Sequence, residues 1–162
     1  MVPPEPALVF RNAPLPVAAA IMREAAQWAI GRGEKMWELE SLADAQLAQR
    51  CQPHEVFIGE LAGEAVVAAL LQDRDPDIWP DDGTALIVHK LVVRRAHAGR
   101  GLANRMLNFA ETHARSLGRP WLRLDTDATR PKLRSFYERA GFSHVGFKTL
   151  GHLQLALFEK RL

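Results

Sequence analysis

Apolar and polar residues follow two rhythms along this chain. "ALVFRN" (Ala7 to Asn12) reads as a short strand. Pro14 and Pro16 then open an alanine-rich stretch, Val17 to Ile30, with helical spacing and a stop at Gly31 and Gly33. Ser41 and Asp44 stand at capping-box spacing ahead of Leu47, which predicts a second helix. "EVFIGEL" and "AVVAALLQ" flank Gly63 and predict a hairpin. "ALIVHKLVV" (Ala85 to Val93) is apolar on both faces apart from His89 and Lys90, the signature of a strand central in a sheet.

The second half repeats the two rhythms. Leu102, Met106, Phe109, Ala110 and Leu117 lie on one helical stripe, ended by Gly118 and Pro120. "WLRLD" is a strand that ends at Asp125, with Asp127 expected just after it. Leu133, Phe136, Tyr137 and Ala140 mark another helix, with Gly141 as its C-terminal stop. "FSHVGFKTL" and "LQLALFEK" are two last strands. The order is β-α-α-β-β-β-α-β-α-β-β. Its central strand-helix-strand unit implies a parallel pair, while the strands before it look antiparallel. The fold class is α/β or α+β with a mixed sheet.

Composition narrows the classes of function. The 162 residues carry a formal net charge of +2, with 48% hydrophobic and 25% charged residues, as in ordinary globular chains. That charge is too small for a dedicated nucleic-acid binder, so no nucleic acid is expected. Cys51 is the only cysteine, which excludes an internal disulfide and fits a cytoplasmic setting. No metal is expected, since a lone cysteine and scattered histidines make no ligand set. The N-terminal stretch lacks the layout of a signal peptide, and no apolar run reaches the ~18 residues of a membrane span. One domain over residues 1–162 is the expectation.

The most informative joint is "RRAHAGRGLANRML" (Arg94 to Leu107), where the central strand gives way to a helix. A helix N-terminus presents amides without partners and partial positive charge. Glycine lets a phosphate approach the backbone, so Gly99 and Gly101 make an anion cradle, with Arg94, Arg95, Arg100 and Arg105 around it. Gly99-x-Gly101 with Asp125 also suits a dinucleotide site, but that motif wants Gly or Ala where Asn104 stands. The acidic loop "DRDPDIWPDDG" holds Asp73, Asp75, Asp77, Asp81 and Asp82. It is no calcium loop, because its sixth and twelfth positions are Ile78 and Thr84. It is either a solvated loop or a field that draws a cationic amine, through Asp81 and Asp82 above all.

Two motifs together resemble the GNAT superfamily of N-acetyltransferases. The first is Ala98-Gly99-Arg100-Gly101-Leu102-Ala103, set against the family's Gln/Arg-x-x-Gly-x-Gly/Ala. The second is "LRSFYERAGF" (Leu133 to Phe142), which is similar to the segment whose tyrosine faces the coenzyme A sulfur. The chain departs from the pattern at Ala98, usually Gln or Arg, and at Arg130, often Asn.

The resemblance implies a mostly antiparallel central sheet with one splayed parallel pair, flanked by helices. It implies acetyl-CoA as co-substrate, held by Ala98, Gly99, Arg100, Gly101, Leu102 and Ala103 and by the main chain of Leu91, Val92 and Val93. It implies transfer to the amine of a small molecule or peptide, with a homodimer left open. Tyr137, the only tyrosine, is then the candidate acid and His89 a candidate base; water is the alternative base. His97 reads as a solvated turn residue and Trp28 as core, while Trp37 and Trp79 are candidates for an acceptor pocket. A silent acyl-CoA-binding module and a dinucleotide enzyme are the rivals.

Overall fold

A computed structural model describes residues 1–34 and 37–162. The elements follow in chain order as β1 (Leu8–Asn12), α1 (Leu15–Gly31), α2 (Asp44–Ala48), β2 (Val56–Leu61), β3 (Glu64–Gln72) and β4 (Ala85–Val93). Then come α3 (Leu102–Ser116), β5 (Trp121–Asp127), α4 (Pro131–Arg139), β6 (Ser143–Leu150) and β7 (Leu153–Arg161). Short 3-10 turns precede α2, β2 and α3. The seven strands are ordered β1-β2-β3-β4-β5-β7-β6, mostly antiparallel, with β4 and β5 as a parallel pair. The element order and the mixed sheet match the pattern of the sequence.

Residues group into two compact units, Met1–Leu70 with Lys90–Leu107 and Leu71–His89 with Asn108–Leu162. In the first, α1 buries one face: Ala18, Ala19, Ile21, Met22, Ala25 and Ala26 pack with Ile58, Leu70 and Val92. Small residues on that face let the helix lie close to the strands. β2 and β3 pair antiparallel around Ala62 and Gly63, both at positive φ (50° and 80°). This is the two-residue turn whose twist matches that of its strands.

The second unit is held by β5, which pairs with β7 along its whole length from Trp121↔Arg161 to Asp127↔Leu155. Leu122, Leu124 and Phe158 are its fully buried centre. β5 pairs with β4 only over Ala85↔Trp121, Leu86↔Leu122 and Ile87↔Arg123. Two places further along, His89 and Asp125 therefore leave their strands on the same face. Lys90 follows with φ 55°, a left-handed break within β4. Such breaks re-aim side chains beside functional sites.

Several local expectations need correcting. Ser41 and Asp44 make no capping box: Ala43 is the residue before α2, and Ser41 Oγ donates to Glu38 O at 2.7 Å inside a 3-10 turn. Leu117 lies past the end of α3 and is exposed; Leu107 and Ala114 are buried with Met106 and Ala110. β5 runs past Asp125 and takes in Asp127, because β7 extends the ladder to Asp127.

Candidate active site

The first unit holds the glycine joint. Gly99 and Gly101 take φ of 77° and 73°, and a Cβ built on either meets nothing within 4 Å. Backbone conformation, not crowding, therefore requires glycine here, and the space before the loop is open. The first bond of the α3 ladder runs from Arg105 N to Gly101 O at 3.1 Å. The amides of Leu102, Ala103 and Asn104 precede that ladder, as the donors that a helix start leaves without a partner in it. The residues present thus fit a diphosphate.

The surrounding arginines divide into two groups. Arg94 donates to Glu24 at 2.8 Å and to Ala65 O at 3.0 Å. Arg95 lies 3.5 Å over the Trp28 ring, and its amide donates to Glu24 at 2.9 Å. Both brace the joint. Arg100 stays on the loop and donates to His97 Nδ1 at 2.9 Å. That nitrogen must be bare to accept, so the imidazole proton sits on Nε2, which faces Glu64 at 3.6 Å. His97 is therefore a partly buried brace for Arg100 and not a solvated turn residue. Trp28 is only half-buried, stacked between Arg32 and Arg95 and not in the core. Leu91 and Val93 flank Val92, which is buried in the core of this unit.

The second unit holds both candidate catalytic side chains. α4 starts at Pro131 and presents Tyr137 inward; it ends where Gly141, at φ 94°, donates to Glu138 O at 3.1 Å. Tyr137 is 9% exposed and packs against Phe136, Phe142 and Phe158, with ring centroids 5.1, 6.0 and 5.9 Å away. Burial pushes its phenol up to about 12, and the charge of Asp125 adds to the shift. The group is therefore protonated throughout the neutral range, as a proton donor must be.

His89 sits just beyond the last β4–β5 pair. Its Nε2 lies 3.3 Å from Asp75 Oδ2, with both side chains about four-fifths buried. One donor atom each from Asp75, His89 and Asp125 lies within 4.8 Å of the other two. Asp75 is the residue that sequence reasoning missed. It was one of five aspartates in a loop, and only the fold turns it toward His89. Its carboxyl is raised above the usual range by burial and by Asp77, against the pull of Lys148. Asp82, by contrast, is lowered by hydrogen bonds from Thr84 and by Arg123. Trp79 is buried, with Arg123 5.2 Å over its ring, and Trp37 carries Lys90 4.7 Å over its ring.

Among the described residues, no helix is long and apolar enough to cross a membrane.

Comparison with known proteins agrees with this architecture. The model of the acetyltransferase (GNAT) family matches residues 35–142. The uncharacterized N-acetyltransferase YesJ of Bacillus subtilis strain 168 is 31% identical over 145 residues, 85% of this chain and 79% of that protein. A GNAT-family acetyltransferase of Listeria monocytogenes is 26% identical with a TM-score of 0.76, over 96% of this chain and 95% of that one. The PaiA N-acetyltransferase of Thermoplasma acidophilum, solved with coenzyme A, shares the fold with a TM-score of 0.71 at 14% identity, over 96% of this chain and 99% of that one. The family match takes the place of the dinucleotide reading of the glycine joint. With that match over residues 35–142 and its strands and helices in the order given above, this chain belongs to the GNAT acetyltransferase family and is an acyltransferase.

Proposed function

We propose that the chain transfers the acetyl group of acetyl-CoA to a primary amine by direct attack, using the whole of residues 1–162 as one catalytic domain. The observation that carries this reading is a buried phenol, Tyr137, whose neighbour Asp125 lies with His89 past the end of a parallel strand pair. The backbone amides at residues 99–103 hold the diphosphate of the co-substrate, and the main chain of Leu91, Val92 and Val93 pairs with its pantetheine arm. Metal is not needed for this chemistry. His89 takes a proton from the acceptor before attack. The amine nitrogen then bonds to the thioester carbon, the C–S bond breaks, and Tyr137 supplies a proton to the departing sulfur.

Free coenzyme A released from acetyl-CoA in the presence of pooled amines tests the reading. Amine-dependent thiol release is expected. Tight binding of acetyl-CoA without thiol release for any amine would make the chain a silent acyl-CoA-binding module, which Ala98 in place of Gln or Arg would suit.

A further inference from the structure

The loop between β3 and β4 carries five aspartates, and the fold sorts them. Asp73 pairs with Arg119 at 3.2 Å, Asp81 with Arg74 at 2.8 Å, and Asp82 with Arg123 at 3.5 Å. Each of these three is offset by an arginine, so the expectation that Asp81 and Asp82 attract a cation loses its basis. Asp75 instead lies 3.3 Å from the His89 imidazole, and Asp125 of β5 closes the same cluster. Two carboxylates then share one titratable ring in a partly buried position. Facing groups are Asp77 and Lys148 around Asp75, and Tyr137 beside Asp125. A half-buried cluster with surplus negative charge beside an acid suits a cation that must lose a proton there.

We propose that Asp75, His89 and Asp125 form the acceptor subsite, and that it receives an aliphatic primary amine in its ammonium form. This rests on the reading of the chain as an N-acetyltransferase with Tyr137 as acid. Asp75 and Asp125 hold the cation, and Asp75 fixes the His89 ring. The ammonium gives one proton to His89 and becomes a neutral amine. Its lone pair forms the C–N bond at the thioester carbon. As the C–S bond breaks, the sulfur takes the phenol proton of Tyr137, and the phenolate recovers the second proton of the nitrogen. One amide, one thiol and one proton, carried off by His89, balance the reaction.

The test compares wild type with Asp75→Asn, Asp75→Glu and Asp125→Asn at saturating acetyl-CoA. One acceptor set is alkylamines, charged at pH 7.5; the other is arylamines, neutral at that pH. Where arylamines are not turned over, their inhibition constants against the alkylamine serve instead. The expected result is a KM at least tenfold higher for alkylamines in Asp75→Asn and Asp125→Asn, with the arylamine constant within twofold. Asp75→Glu should restore most of the loss. Equal shifts for both acceptor sets, or no shift for either, overturn the proposal. Retention of one equivalent of Zn²⁺ by wild type through dialysis, lost in Asp75→Asn, overturns it in favour of a metal centre. Calorimetric binding of acetyl-CoA to each protein separates the two levels. Its absence in wild type sinks the acetyltransferase reading itself. Its presence with unchanged acceptor preference in Asp75→Asn sinks only the subsite.

Discussion

Replacing Tyr137 with Phe removes one hydroxyl from a buried ring held by three other aromatic rings. The size of the effect follows from the position of the proton. The phenol stands at about 12, while a free thiol titrates near ~8.5. Complete transfer from phenol to a free thiolate is uphill by about 3.5 units, or about 5 kcal/mol. Tyr137 therefore does not simply protonate a released thiolate. In the proposed reaction it would hydrogen-bond the sulfur as charge develops and pass its proton on only as the nitrogen's proton replaces it. A hydrogen bond to a charged group contributes about 1.5–3 kcal/mol, which predicts that kcat falls by about 10- to 160-fold. That is at or below the lower end of the ~10²–10⁴ typical of general acids. The acetyl-CoA dissociation constant and the amine KM should stay within threefold, because neither bound ground state needs the proton. Thiol release in single turnover, with acetyl-CoA saturating, measures the chemical step apart from product release. A kcat within threefold of wild type would remove the phenol from the mechanism. A fall beyond 10³ would mean that a free thiolate waits for the phenol proton before the nitrogen's proton replaces it, and the argument from burial would be wrong.

Further predictions test other parts of the structure. Because Tyr137 is the only tyrosine, phenolate absorbance should report its titration directly, with a midpoint near 12 in wild type and a lower one in Asp125→Asn, where the adjacent charge is gone. The raised value also links to stability. The contribution is complete below the unfolded value of ~10 and is lost as pH rises through about 12, so wild type should lose about 3 kcal/mol in urea titrations across that window. Tyr137→Phe should lack this component. Gly99→Ala and Gly101→Ala should each cost about 1–2 kcal/mol in thermal unfolding, from positive φ alone, and weaken acetyl-CoA binding, since a Cβ there points into open space. Gly59→Ala should destabilise by about 1–3 kcal/mol through overpacking, because its Cβ would come within 2.7 Å of Val67 Cγ1; Val67→Ala in the same chain should recover part of that loss.

Most of the architecture was legible in the sequence because it depends on short-range rules. The apolar run of β4 has the bounds that its composition suggests. The hairpin falls at Ala62 and Gly63, where a chain reversal needs positive φ. The backbone of the glycine joint was also legible, since Gly99 and Gly101 both take positive φ just ahead of α3. What failed depended on partners distant in sequence. Trp28 looks like core on its helix, yet Arg95 covers it from another segment. His97 looks like a solvated turn residue until Arg100 and Glu64 are placed on its two nitrogens. Asp75 is indistinguishable from Asp73 or Asp81 by composition. Only the folded loop, in which the amides of Ile78 and Trp79 donate to Asp75 O at 3.0 and 2.8 Å, settles where it points.

The place of the candidate catalytic groups follows from where one ladder stops. Ala85 to Val88 of β4 are buried and apolar, as a strand in the middle of a sheet requires. A polar side chain among them would need a partner that neighbouring apolar strands do not offer. The first polar residue of β4 is His89, two places past Ile87, the last residue paired with β5. On β5 the counterpart is Asp125, two places past Arg123. Continuing the register by that step sets the imidazole opposite the carboxylate. The end of the ladder is thus both the reason that charge is tolerated at this depth and the reason that the two groups meet. Asp75 then supplies the second carboxylate from a loop whose other ion-paired aspartates are bound to arginines. Its 3.3 Å approach to His89, which no other loop carboxylate is shown to make, marks Asp75 as the carboxylate whose removal should change how the acceptor is chosen.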